Sequence, residues 1–338
     1  MNVERYQNRT KLEFEIEFIT PTFLGGANGD AEIRTAPFKN LIRRWWRIVN
    51  GTLSQEKLWK KECELFGSAA DKNSIKSKVD LKIVSSEKIY FGEPYKESPK
   101  INFDTVSIND VSYNVAVYLG YGVIKKVKNK YNKVEIVSSK RYIMPGSKLT
   151  LALELPEQYK KEMIQVLYCI DLFGTIGAKS RNGFGSIAVK PVSFDFEECE
   201  LNLPLSIEDV VKNGKHYPNS LVSDDDDPDA DFLIWTTKEY RKYETVMNIL
   251  CGTYIRAKKT LKIPLFGAAD KDDLPDGADR LPSLLTLKVW RDCDNQYIGC
   301  LIFIPYAVKD KSKEELKKEI KKVCQHFDNE KALERLVL

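Results

Sequence analysis

From Lys11 to Thr20 apolar and charged residues alternate, so that Leu12, Phe14, Ile16 and Phe18 fall on one side and Glu13, Glu15 and Glu17 on the other. A strict period of two over this length predicts a half-buried strand. Pro21 and the pair Gly25-Gly26 then predict a loop. After Thr35, the expected N-cap, with Pro37 in the first turn, the period becomes helical. Phe38, Leu41, Ile42, Trp45 and Val49 share one face of that helix, and Lys39, Arg43 and Arg47 another. Ser54 to Phe66 predicts a second, short helix that Gly67 stops, and Lys78 to Val84 alternates again as a strand. Ser147 to Leu155 reads as a third strand. Glu157 to Phe173 reads as a helix with Met163, Val166, Leu167, Ile170 and Phe173 inward, and Phe184 to Phe196 as a further strand. Residues 87–146 combine turn signals at Gly92-Glu-Pro94 and Ser98-Pro99 with short β-like runs, the pattern of an insertion. The order β-α-β-(insertion)-β-α-loop-β is that of an α+β, ferredoxin-like (RRM-like) domain, with two helices over one sheet face and the other face available.

The chain turns acidic and loop-like around residues 200–231, with Ser223-Asp-Asp-Asp-Asp227 at its centre, and a domain boundary is expected there. Beyond it Phe232 to Trp235 reads as a strand and Glu239 to Lys259 as a helix with Tyr243, Val246, Leu250 and Tyr254 on one face. Residues 284–290 and 296–306 read as a hairpin. Ser312 with Glu315 forms a capping box for a last helix burying Leu316, Ile320, Val323 and Phe327. Leu65-Phe-Gly67-Ser-Ala-Ala-Asp71-Lys72 is echoed by Leu265-Phe-Gly267-Ala-Ala-Asp270-Lys271, each after an expected helix and before an expected strand, which suggests duplication. The division expected is residues 1–200, carrying the insertion, and residues 201–338.

Charge sharpens this division. Residues 1–190 hold 31 Lys+Arg against 21 Asp+Glu, and the remainder 22 against 28. A basic amino half beside an acidic carboxyl half directs nucleic acid, if bound, to the first. Seven cysteines without a C-x-x-C pair argue against a disulfide framework and for a reducing compartment. There is no apolar run of membrane-spanning length and no signal-peptide layout at Met1. The expected compartment is the cytoplasm, with no membrane partner.

The most informative segment is Gly174-Thr-Ile-Gly177-Ala-Lys179-Ser-Arg181-Asn-Gly183-Phe-Gly185. Glycines let backbone amides approach closely, and turn amides with cations suit an anion. The alternative is a tight glycine turn with solvated cations. Gly183-Phe-Gly185-Ser-Ile-Ala188 formally fits the dinucleotide fingerprint, but it follows a helix and opens a strand, the reverse of what that fingerprint needs. As an RNA-recognition-motif signature it is partial, since Ser186 and Ala188 offer no ring to stack a base. The first helix adds Lys39, Arg43, Arg44 and Arg47, with Trp46 beside them; a tryptophan there is more often packed than exposed. From Tyr121 to Lys148 the cations include Lys125, Lys126, Lys128 and Lys130 against the single acid Glu135, interleaved with Tyr121, Tyr131 and Tyr142. Cations with rings suit single-stranded nucleic acid, although a charge run is usually a solvated face. Catalytic signals are sparse. His216 and His326 lack evident acid partners, Cys324 and His326 lack a second zinc-ligand pair, and the Asp224 cluster lacks the calcium-loop glycine and glutamate. No cofactor is expected.

Taken in order, Thr20-Pro-Thr-Phe23-Leu-Gly-Gly26, Glu32 to Arg47, Glu64-Leu-Phe-Gly67-Ser and Gly174 to Gly185 resemble the RAMP superfamily of CRISPR-associated RNA-binding proteins, within it the type III-B Cmr effector complexes, over residues 12–190. The resemblance implies tandem ferredoxin-like domains and a place in a multisubunit ribonucleoprotein that pairs guide RNA with invading target RNA. It places such a subunit near the 3′ region of the guide, beside the other subunits. It further implies RNA contacts by Gly177, Lys179, Arg181, Gly183 and Gly185 and by Arg34, Lys39, Arg43 and Arg44. The carboxyl half lacks an obvious glycine-rich counterpart. The expected protein is therefore a non-enzymatic RNA binder that reads backbone rather than bases. One alternative is a ribonuclease using Asp30, which stands in the loop after the first strand where related subunits carry a catalytic aspartate. Another is a protein-only scaffold whose acidic half docks a basic neighbour.

Overall fold

The computed structural model describes residues 8–26, 29–50, 53, 55–69, 74–93, 103–196, 233–263, 283, 285–303 and 313–336. In chain order the elements of the first half are β1 (Arg9–Phe18), α1 (Thr35–Val49), α2 (Gln55–Phe66), β2 (Asp80–Lys88) and β3 (Phe91–Gly92). There follow β4 (Thr105–Ile108), β5 (Val111–Asn114), α3 (Val115–Leu119), β6 (Ile124–Lys128), β7 (Val134–Ser138) and β8 (Tyr142–Ile143). The half closes with β9 (Lys148–Pro156), α4 (Lys160–Phe173) and β10 (Ile187–Pro191). The second half holds β11 (Leu233–Tyr240), α5 (Tyr243–Leu261), β12 (Leu285–Arg291), β13 (Tyr297–Phe303), α6 (Lys313–Asp328) and β14 (Glu334–Arg335).

The first sheet has the order β10-β1-β9-β2 and is antiparallel throughout. The alternation in β1 works as expected: Leu12, Phe14, Ile16 and Phe18 join Phe38, Leu41, Ile42 and Trp45 of α1 and Met163, Val166, Leu167 and Phe173 of α4 in one buried cluster. Trp45 stacks on Phe173. Trp46 is 1% exposed, and its Nε1 donates to Glu162. The other face of the sheet carries Glu13, Glu15 and Glu17, with Lys148 Nζ donating to Glu15 at 2.8 Å and Arg291 paired with Glu17 at 2.7 Å. Carboxylates in that number make this face a poor platform for phosphates.

The second sheet has the order β12-β13-β11-β14. Within each half the strands outside the insertion form a βαββαβ run, laid side by side as fourth, first, third, second. Helices α5 and α6 cover one face of the second sheet, through Val246, Leu250, Val323 and Phe327 against Trp235, Leu287 and Leu301. Its opposite face turns Ile234, Cys300 and Ile302 into the core of the first half. Lys288, fully buried on that face, donates from Nζ to the carbonyls of Ile170, Asp171 and Gly174 at 3.2, 2.5 and 2.9 Å. These carbonyls lie at the C-terminal end of α4, where Ile170 O also accepts from the cap Gly174 N at 2.7 Å, and a cation suits that end of the dipole.

Among the described residues the insertion holds three small antiparallel pairs and α3. Ile108 pairs with Val111 across Asn109-Asp110, both at positive φ (50° and 60°), the geometry of a two-residue hairpin turn. β4 and α3 pack on α5, so the insertion bridges the two halves.

Some expectations shift. Arg34 rather than Thr35 occupies the cap position of α1, without a side-chain cap bond. The strand after the glycine loop is confined to 187–191, because residues 174–186 remain loop. β14, too short to show a period, was not foreseen. The acidic boundary at 200–231, the echo at 265–271, Ser312 and His216 lie outside the described residues.

Candidate nucleic-acid interface

Two loops meet at one end of the first sheet. The loop after β1 and the glycine loop before β10 are joined by Gly185 N to Pro21 O (3.0 Å), Ala178 N to Phe23 O (2.8 Å) and Thr20 Oγ1 to Gly183 O (2.8 Å). Phe184 is buried edge-on to Phe23, 5.5 Å between centroids, and anchors the loop from beneath. The glycines follow from this crowding. Gly185 has φ +64°, and a Cβ there would lie 1.8 Å from Ile176 O; Gly177 has φ +92°, with Phe23 O at 2.7 Å. A Cβ on Gly183 would meet Met247 Sδ of α5 at 2.5 Å. Gly183 and Gly185 are buried, so their closeness is to protein; Gly177 is exposed.

The side chains of this double loop separate into two groups. Arg34 is exposed at the start of α1, and its Nη2 donates to Gly25 O at 2.8 Å. Arg181 is exposed, with Nη1 donating to Ser283 O at 3.2 Å; its own carbonyl accepts from Leu287 N, a tie to β12. Lys179 is half-buried at φ +59°, and Arg44 is exposed on α1. Lys39 and Arg43 face the other way. Lys39 Nζ donates to Ser77 Oγ (2.8 Å) and Val79 O (3.1 Å), and burial holds its pKa below the ordinary lysine value. Arg43 and Arg47 both grip the buried Glu62 of α2. Burial would push the Glu62 carboxyl up, but the hydrogen bonds and charge of Arg47 and Arg43 together outweigh it and hold it below its usual value. The structure therefore separates Lys39 and Arg43, as ties from α1 to the segment leading into β2 and to α2, from Arg34, Lys179 and Arg181.

Lys125 and Lys126 are exposed on β6. Beyond them the tip of the β6–β7 hairpin is shaped by Asn129 Oδ1, which accepts from Tyr131 N and Lys133 N, and Lys130 Nζ lies 5.0 Å from the Tyr131 ring centroid. Between the insertion, the glycine loop and α5 lies a cavity of about 470 Å³. Lys126 and Lys179 line it with Tyr113, Tyr118 and Tyr121 of the insertion and Tyr254 and Lys258 of α5. Asn182 Nδ2 donates to Leu119 O at 2.8 Å and locks the glycine loop to the insertion. The contribution of α5 was missed in the sequence. Tyr254 was counted as part of an apolar helix face, and only the basic end of that helix, Arg256 to Lys259, hinted at more.

Asp30 is exposed, and its carbonyl accepts from Gly26 N at 2.7 Å. His326 packs edge-on to Phe327, and burial lowers its pKa despite the nearby Glu330. Among the described residues no group of three or more His, Cys, Asp or Glu is arranged to hold a metal ion, and no helix is long and apolar enough to cross a membrane.

The double loop and the strands it joins coincide with a recognised family. A model of the RAMP superfamily matches residues 15–188, and the chain belongs to that superfamily. The match spans all four segments on which the resemblance was read. Among its relatives, the CRISPR system Cmr subunit Cmr1-2 of Pyrococcus furiosus is 26% identical over 183 residues, 52% of this chain and 94% of the relative. The crystal structure of Cmr1 from Pyrococcus furiosus in its apo form is similar with TM-score 0.50 and 19% identity, over 90% of this chain and 92% of that one. A chain of the type III-B Cmr-beta cryo-EM structure bound to cognate target RNA is similar with TM-score 0.51 and 14% identity, over 94% of this chain and all of that one. These solved structures share its fold of helices on antiparallel sheets.

Proposed function

We propose that this chain is a non-catalytic RNA-binding subunit of a type III-B CRISPR Cmr ribonucleoprotein, acting in antiviral defence. It contacts the backbones of guide and target RNA near the 3′ region of the guide, with other Cmr subunits as its protein partners and the cytoplasm as its compartment. Its two halves, residues 1–200 and 201–338, are tandem ferredoxin-like domains, a reading supported by the shared strand order of the two sheets. The observation that carries the proposal is the hydrogen-bonded double loop, which carries Arg34, Lys179 and Arg181, with Lys126 lining the same cavity as Lys179 and Lys125 exposed next to it on β6. A cationic edge with no array of base-reading side chains suits ribose–phosphate, and leaves sequence recognition to base pairing. Gly177 lies on that edge, Gly183 and Gly185 shape it from below, Arg44 extends it along α1, and Lys39 and Arg43 brace α1 behind it.

Three or four phosphates neutralised on single-stranded RNA give a slope of about −2 to −3 for log affinity against log salt. Filter binding of unrelated RNA sequences between low and physiological salt should return that slope and nearly equal affinities. A flat salt dependence, or strong preference for one sequence, contradicts the proposal.

A further inference from the structure

We infer that the cavity between the insertion and α5 is a site for a single nucleotide of RNA, its base received by tyrosine rings and its phosphate by lysines. The inference rests on the RNA reading above and deepens it, because it gives the second half a direct role. Its volume, about 470 Å³, falls in the range of small-ligand pockets. Its chemistry is narrow. The walls carry three lysines, Lys126, Lys179 and Lys258, and among the described lining residues there is no carboxylate. Such a lining selects an anion. The rings select what the anion is attached to. Tyr113 and Tyr118 stand edge to face at 5.6 Å, and Tyr118 and Tyr254 at 6.5 Å, so three phenols form a fixed corner. Lys259 Nζ, 4.8 Å from the Tyr113 centroid, covers one face of that ring and holds it from behind. Tyr121, 76% exposed, stands at the mouth. An anionic group joined to a flat aromatic one is the description of a nucleotide, and base–aromatic stacking with cations is how single strands are held.

The position of the cavity supports the same conclusion. Lys179 belongs at once to the cavity lining and to the loop that carries Arg181, so a strand lying along the double loop runs past the opening. The bond from Asn182 to Leu119 fixes the distance between loop and cavity. A strand held by its phosphates on the loop would turn one base out of its stack into the tyrosine corner. The second half contributes Tyr254 and Lys258, so the site exists only when both halves are present.

The test uses the full chain and an RNA octamer whose ribose–phosphate backbone lacks every base except one. Reinstating a single base on the all-abasic strand should raise affinity roughly tenfold, and further bases should add little. Tyr121→Ala or Lys258→Glu, both surface changes, should each remove that gain. A gain only from a base at a strand end means the site takes a terminus; a gain from an interior base means it takes an unstacked nucleotide within the strand. No gain, or a gain untouched by both substitutions, overturns the inference. If the all-abasic strand binds with the expected salt slope while the base adds nothing, the backbone reading survives and the nucleotide site falls. If binding appears only when a base is present, the reverse holds.

Discussion

Lys288 shows how much one side chain contributes across the two halves. Its stem sits in β12, yet its ammonium closes the last turn of α4, more than a hundred residues earlier in the chain. Burial pushes its pKa from the ordinary 10.5 down to about 8, against the attraction of Asp171. The unfolded chain therefore binds more protons than the folded one between about pH 8 and 10.5, and this group makes the fold more stable as pH rises through that window. Comparing wild type with Lys288→Met by urea denaturation at pH 7.5 and 9.5 should show an extra rise in the wild type, up to about 1.4 kcal/mol per pH unit. Parallel trends in the two proteins would count against a buried, titrating Lys288. No reading of residues 284–290 as an alternating strand could find this role, because alternation reports that a position is inward and not which helix end it meets. Trp46 was easier, since its place followed from the general burial of tryptophan.

Among the elements, the helices and long strands were legible because each repeats its period several times. The apolar residues of β1, α1 and α4 fell where their spacing put them. The glycine loop was legible as a position but not as a structure. Gly177 is required by the approach of the Phe23 backbone, more than 150 residues earlier, and Gly185 by the loop folding back on Ile176, neither of which a local pattern reports. Gly185→Ala, which forces a Cβ against Ile176 O at φ +64°, should destabilise the protein by about 2 kcal/mol or more, read as a lowered urea midpoint. A midpoint unchanged from wild type would mean that the loop is slack and that Arg181 and Lys179 are not held on a fixed edge. For the insertion, composition exposed the cations and rings but not their partners, since short hairpins have too few residues to declare a face.

At the level of the whole molecule, the charge asymmetry pointed to the amino half, and the loop cations lie there. For the second half, the want of a glycine-rich loop left the sequence without a sign of RNA contact. The structure brings Tyr254 and Lys258 to the same cavity as Lys126 and Lys179. That convergence depends on the insertion packing on α5, a pairing across more than a hundred residues that leaves no local pattern. Family resemblance reached further than periodicity here, because the ordered segments between residues 12 and 190 record the meeting of the two loops even though no single segment does. What the account requires above all is that the double loop grips a single strand through its phosphates. Reversing Lys179 and Arg181 together to glutamate in the full chain, and titrating labelled single-stranded RNA, measures that most directly. The account predicts an affinity lowered at least tenfold, a smaller salt slope and a melting temperature within a few degrees of wild type; a folded double variant that binds RNA with unchanged affinity and slope would contradict it.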